Sequence, residues 1–106
     1  MVVAPYYNKP MQRGIFEHFK AVAEVGLPVI MYNNPGRAAV TIEPETVVKL
    51  SKIPNIVAIK DATGGLDHAI AVSAMCDITI FCGEDTLALP MMAIGATGVM
   101  SILSNI

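Results

Sequence analysis

Only two cysteines occur in this chain of 106 residues, Cys76 and Cys82. They do not form a CxxC pair, so neither a disulfide scaffold nor a cysteine zinc site is expected, and a reducing cytoplasm is the default. Charge is also scarce. Charged residues make up 15% of the chain against 54% apolar, a balance that excludes a disordered tail. No basic excess exists either. Seven Lys and Arg against nine Asp and Glu leave a net charge of −2, which argues against a nucleic-acid-binding face. No apolar run reaches the roughly 18 residues of a membrane span, because Lys, Glu, Asp or Pro interrupts each one. The opening Met1–Tyr7 lacks the basic start and small-residue cleavage site of a signal peptide. HExxH, GxSxG, Walker A and GxGxxG motifs are missing, as is any His/Cys/carboxylate cluster at ligand spacing. No metal site, serine elbow or nucleotide loop is therefore expected.

What is present is a series of apolar, β-rich runs: Val2–Ala4, Pro28–Tyr32, Ile56–Ile59, Ile78–Phe81 and Val99–Leu103. None alternates cleanly, as expected for parallel strands covered on both faces. Helical patterns fill the gaps. Ile15, Phe16, Phe19, Val22 and Ala23 recur at three- and four-residue steps, and Gly26 offers a stop. Pro44 suits the first turn of a second helix whose inner face is Val47, Leu50 and Ile53. Leu66–Met75 predicts a third helix, and Asp85 is placed to cap a fourth that ends at Gly95 and is bent by Pro90. The order β-α-β-α-β-α-β-α-β predicts an α/β fold with a parallel sheet. It is either doubly wound or part of a (β/α)8 barrel. A barrel takes roughly 250 residues, so residues 1–106 read as one incomplete domain, a middle piece.

In both architectures ligands bind at the carboxyl ends of the strands, and polar residues gather there. Lys60 ends the third run. Burial or a neighbouring cation would free its amine as a nucleophile; the alternative is a lysine that snorkels outward or pairs with Asp61. Tyr32 closes the second run and could relay a proton or merely pack its ring. Tyr6 and Tyr7 have the same ambiguity. Arg37 follows the turn Asn34-Pro35-Gly36 and suits a carboxylate. Thr63-Gly64-Gly65 could present backbone N–H groups to an anion, or only turn into the next helix. Gly83 marks a close backbone approach or a strand end. His18 and His68 read as helix-surface residues, the methionines as core filler, and the two cysteines as inert thiols.

Taken in order, Pro5-Tyr6-Tyr7-Asn8-Lys9-Pro10, Tyr32-Asn33-x-Pro35-x-Arg37, Ile59-Lys60-Asp61-Ala62-Thr63-Gly64, Gly83-Glu84-Asp85 and Gly98-Val99-Met100-Ser101 resemble the dihydrodipicolinate synthase / N-acetylneuraminate lyase family of class I aldolases. The resemblance covers essentially the whole chain and implies the fourth to eighth strands of a (β/α)8 TIM barrel. It implies that Lys60 forms a Schiff base with pyruvate, that Tyr32 relays protons, and that Tyr7 is a second relay reaching across a dimer contact. Arg37 would hold the carboxylate of the aldehyde substrate, aspartate semialdehyde, on the route to lysine and diaminopimelate. Gly83 and Met100 would line the pyruvate pocket, with Thr63 beside the substrate. Tyr6 would lie where some members bind lysine as inhibitor. No cofactor is implied beyond the covalent imine on Lys60. The implied assembly is a cytoplasmic homo-oligomer, a dimer of dimers, with no nucleic-acid or membrane partner. Two departures stand out. Arg37 is followed by Ala38-Ala39 where Thr-Gly is common, and Asn34 replaces a usually apolar residue. The family's threonine pair would fall ahead of Met1. The rival expectations are another pyruvate-dependent aldolase of the sialic-acid lyase or hydroxy-oxoglutarate type, or an inactive half barrel.

Overall fold

A computed structural model describes residues 1–106 as parallel strands alternating with helices. The strands are β1 (Val2–Val3), β2 (Val29–Asn33), β3 (Ile56–Asp61), β4 (Thr79–Cys82) and β5 (Gly98–Val99). The helices are α1 (Gln12–Ala23), α2 (Pro35–Ala38), α3 (Pro44–Leu50), α4 (Asp67–Met75) and α5 (Ala88–Ala93). Strand order across the sheet is β1-β2-β3-β4-β5, all parallel. A doubly wound sheet must reverse its order at a switch point. Here each connection steps to the next strand, and right-handed crossovers then place every helix on the same face. Of the two architectures, this is the winding of a barrel wall. No helix is long and apolar enough to cross a membrane.

The core lies between that face and the helices. Ile15, Phe19 and Ala23 recur every fourth residue of α1 and are all buried. They meet Val29 and Met31 of β2, Ile56 and Ile59 of β3, Ile80 and Cys82 of β4, and Val47, Leu50, Val72 and Met91 from later helices. Each large side chain so buried contributes about 1.5–3 kcal/mol. Burial in β2 alternates, with Val29, Met31 and Asn33 inside. In β3 it does not, because the register slips. Val29 pairs with Ile56 but Ile30 pairs with Ala58. The extra residue shifts the phase of β3 and hides its period in the sequence.

Three boundaries differ from expectation. The second predicted helix ends at Leu50 rather than Ile53, since Ile53 precedes Pro54 and is pushed out of helical geometry. The fourth splits into a 3-10 turn at Asp85–Leu87 and then α5, because Pro90 has no N–H to continue an upstream helix. The fifth strand stops at Val99, and Leu103–Asn105 forms a 3-10 turn. There Ser104 Oγ donates to the Ser101 carbonyl at 2.7 Å and Asn105 Nδ2 donates to the same oxygen at 3.1 Å. Such short polar side chains compete with a ladder for the backbone.

Candidate active site

The face of the sheet away from the helices carries one level of register partners running across all five strands: Val3, Tyr32, Lys60, Phe81 and Gly98. All five are half-buried. The slip in β3 is what turns Lys60 onto this face beside Tyr32. Lys60 Nζ stands 4.3 Å from the centre of the Tyr32 ring, within the range where a cation is drawn to an aromatic face. Lys60 is the fifth residue of a six-residue strand, followed by Asp61. Its stem is therefore gripped on both sides by neighbouring strands.

Gly83, the residue just past the end of β4, presses on that stem. A Cβ at this position would lie 2.8 Å from Ala62 Cβ, 2.9 Å from the Asp61 carbonyl oxygen and 3.0 Å from Lys60 Cε. The Gly83 N–H donates to that same carbonyl at 2.7 Å. No side chain fits without moving the lysine or the backbone. Met100 stands one strand further, half-buried, its N–H donating to the Cys82 carbonyl at 2.8 Å.

Beyond β2 the chain turns at once into α2. Asn34 caps it, accepting the Arg37 N–H on Oδ1 at 3.1 Å, while Nδ2 donates to the Tyr32 phenol oxygen at 2.8 Å. Tyr32, Arg37 and Tyr6 then line a recess of about 360 Å³ with Met1, Val3 and Ala38. Tyr6, itself 64% exposed, thus shares this recess with Tyr32. Tyr7 is 89% exposed. A groove of about 520 Å³ between α1 and α3 is lined by none of these groups; its cations Arg13, Lys49 and Lys52 form a solvated helix face.

Behind Lys60, on the helix side of β3, lies a buried polar network that the sequence did not reveal. Asp61 does not pair with Lys60. Its Oδ2 lies 2.6 Å from His68 Nδ1, and Oδ1 accepts from the Thr63 N–H at 3.0 Å and the Thr63 hydroxyl at 2.7 Å. Both Thr63 donors are therefore engaged with Asp61. His68 Nε2 faces the Ile42 carbonyl oxygen at 2.7 Å, and Asn33 Oδ1 accepts the Ile42 N–H at 3.0 Å. His68 is no surface residue. Asp61 is 2% exposed, the His68 side chain 9%. Burial pushes the Asp61 carboxyl up, but the bonds from His68 and Thr63 and the imidazole charge outweigh it, so its pKa sits below the ordinary value. Burial likewise pushes His68 down, yet the bond to Asp61, its charge, the Ile42 carbonyl and Glu43 hold its pKa above the ordinary value. The pair ties α4 and the Ile42 loop to the end of the lysine strand, and the raised His68 value favours its imidazolium form beside the carboxylate.

A family model described as the dihydrodipicolinate synthetase family matches residues 1–106. The chain is similar to the 4-hydroxy-tetrahydrodipicolinate synthase of Listeria monocytogenes serovar 1/2a, with 50% identity over 100% of this chain and 37% of that protein. Among solved structures it is similar to dihydrodipicolinate synthase from Bacillus anthracis, at 51% identity and a TM-score of 0.94 over 98% of this chain and 37% of that one. It is also similar to the chloride-inhibited dihydrodipicolinate synthase from Acinetobacter baumannii complexed with pyruvate, at 46% identity and a TM-score of 0.91 over 98% and 37%. The chain thus spans little more than a third of the length of these proteins, and its five strands form a partial barrel.

Proposed function

This chain belongs to the dihydrodipicolinate synthetase family, and on that premise we propose that it carries the Schiff-base half of a pyruvate-dependent class I aldolase. The observation that supports this most is Lys60 Nζ held 4.3 Å over the ring of Tyr32 at the carboxyl end of a barrel strand. The amine attacks the keto carbon of pyruvate, and loss of water leaves an iminium. Its positive charge draws electrons from the C3–H bond; loss of that proton gives the enamine that attacks an aldehyde. Tyr32 moves protons in these steps, with Tyr7 as a second phenol supplied across a dimer contact. Arg37 orients the carboxylate of the aldehyde. Gly83 and Met100 border pyruvate, and Tyr6 stands where lysine would bind as inhibitor. The names of the relatives favour aspartate semialdehyde as the aldehyde over the sialic-acid lyase or hydroxy-oxoglutarate alternatives. The working unit is a single barrel domain in a cytoplasmic dimer of dimers.

The 37% coverage of its relatives favours a second reading for the chain by itself: a barrel wall that is inactive until the rest of the barrel is supplied. One experiment serves both. Pyruvate and borohydride are added to the chain, and to a hybrid in which residues 1–106 replace the matching segment of the Listeria relative. Adducts are then mapped by mass spectrometry. The expected product is a reduced pyruvate adduct on Lys60, lost in Lys60→Ala. An adduct in the hybrid alone supports the second reading. An adduct elsewhere, or none in either protein, overturns the mechanism.

A further inference from the structure

Asn34 makes two bonds at once, and they fix which way its amide points. The Arg37 N–H is shared between the Asn34 main-chain carbonyl and its side chain, each at 3.1 Å, and as a donor it must meet Oδ1 rather than Nδ2. The atom at 2.8 Å from the Tyr32 phenol oxygen is then Nδ2, a group that only donates. The phenol oxygen is therefore the acceptor in this contact. Its single proton cannot lie along the line to Asn34 and must be directed elsewhere. The Tyr32 ring is fixed on one face by Lys60 and in its strand by pairing with Val3 and Lys60. An apolar residue at position 34 would leave the phenol proton free to rotate. An acidic one would attract it.

We infer that Asn34 is a positioning residue that couples Tyr32 to Arg37: its amide holds the phenol as an acceptor with the proton turned toward the substrate, while its carbonyl seats the helical turn that carries Arg37. This rests on the aldolase proposal, since it assigns the phenol a proton to deliver. The donor also strengthens as negative charge develops on the phenol oxygen, so it favours the state in which Tyr32 has just given its proton up. One residue thus sets both the proton donor for pyruvate and the cation for the second substrate.

Two substitutions separate the halves of this role. Asn34→Asp keeps an acceptor for the Arg37 N–H, because Asp caps helices as well as Asn does, but it replaces the donor to the phenol with an acceptor. Asn34→Val removes both. The measurement is the rate of borohydride-trapped pyruvate adduct on Lys60, together with kcat and KM for the aldehyde, in the hybrid barrel and the full chain. Asn34→Asp is expected to slow adduct formation and kcat by roughly tenfold or more with the aldehyde KM unchanged. Asn34→Val, the apolar kind of residue usual in the family, withdraws the donor without adding an acceptor and is expected to slow the same step less than Asn34→Asp does, while raising the aldehyde KM. If Asn34→Asp traps pyruvate as fast as the parent, or raises KM without slowing the chemistry, Asn34 is a helix cap and nothing more. If the parent protein forms no Lys60 adduct at all, the aldolase proposal fails and this inference fails with it.

Discussion

Lys60 and Tyr32 are register partners on adjacent parallel strands, and the amine of one lies 4.3 Å over the ring of the other. The ring and the hydroxyl of Tyr32 therefore have separable roles. The ring holds the amine, an attraction of about 0.5–1 kcal/mol at a partly exposed site, and the hydroxyl moves protons. Tyr32→Phe keeps the ring. It is expected to lower turnover by roughly a hundredfold while pyruvate affinity changes little. Tyr32→Leu removes both and should also weaken pyruvate capture. Steady-state kinetics with trapping rates on the two variants check this; equal losses of rate and affinity in Tyr32→Phe would exclude a relay.

Gly83 holds the other side of the same lysine. A methyl group there would sit 3.0 Å from Lys60 Cε and 2.9 Å from a backbone oxygen, and neither the β3 backbone nor Ala62 can retreat. Gly83→Ala is expected to cost about 1–3 kcal/mol of stability and to abolish most of the Lys60 adduct, because the stem must swing away. Thermal unfolding and adduct yield should fall together. A variant that stays stable and still traps pyruvate would show that the lysine is placed by Tyr32 alone.

The architecture was legible because continuous apolar runs bounded by turn residues alternate with helical patterns, and the candidate groups Lys60, Tyr32 and Arg37 stand at the ends of those runs. What stayed hidden is non-local or too short to have a period. The slip at Val29 and Ile30 erases alternation in β3. Helix α2 is four residues long and reads as a turn; the amide that caps it also donates to a phenol two residues earlier. His68 reads as a surface histidine, since its partners Asp61 and Ile42 meet it only once α4 has packed on the sheet. Tyr6 and Tyr7 are neighbours in sequence and both exposed, and only the fold shows that Tyr6 borders the recess beside Tyr32.

The departure at Ala39 has a conformational consequence. Ala39 closes α2 with φ 55° and ψ 18°, the left-handed region. An L side chain there costs about 1–2 kcal/mol, and glycine, which the family commonly carries after the arginine, does not. Ala39→Gly is expected to stabilise the protein by roughly 0.5–1 kcal/mol, part of the relief being lost to the greater freedom of the unfolded chain. Urea midpoints of the two proteins measure it. A lower midpoint in the glycine variant would mean that the Ala39 methyl group packs against something the turn needs.

The Asp61–His68 pair makes stability depend on pH in a direction the two shifts fix. His68 is held above its ordinary value of about 6.5. Its contribution is therefore complete below about pH 6.5 and is lost as the pH rises through the raised value. Asp61 is held below its ordinary value of about 3.9. Its contribution is complete above about pH 4 and is lost as the pH falls through the lowered value. Both are in full force between about pH 4 and 6.5. Of the groups facing the pair, the Ile42 carbonyl and the carboxylate of Glu43 favour the imidazolium, and the two Thr63 donors favour the Asp61 carboxylate. Asn33 Nδ2, 3.2 Å from Nε2, can donate to the neutral ring and softens the loss at high pH. Urea unfolding across this range should show a plateau, then a decline above it. His68→Gln should remove the alkaline decline, and His68→Ala should cost roughly 3 kcal/mol at pH 6 by stranding a buried carboxylate. Because the pair anchors the end of the strand that carries Lys60, the same variants should lose pyruvate adduct in step with stability; an alkaline decline that persists in His68→Gln would assign it to another group.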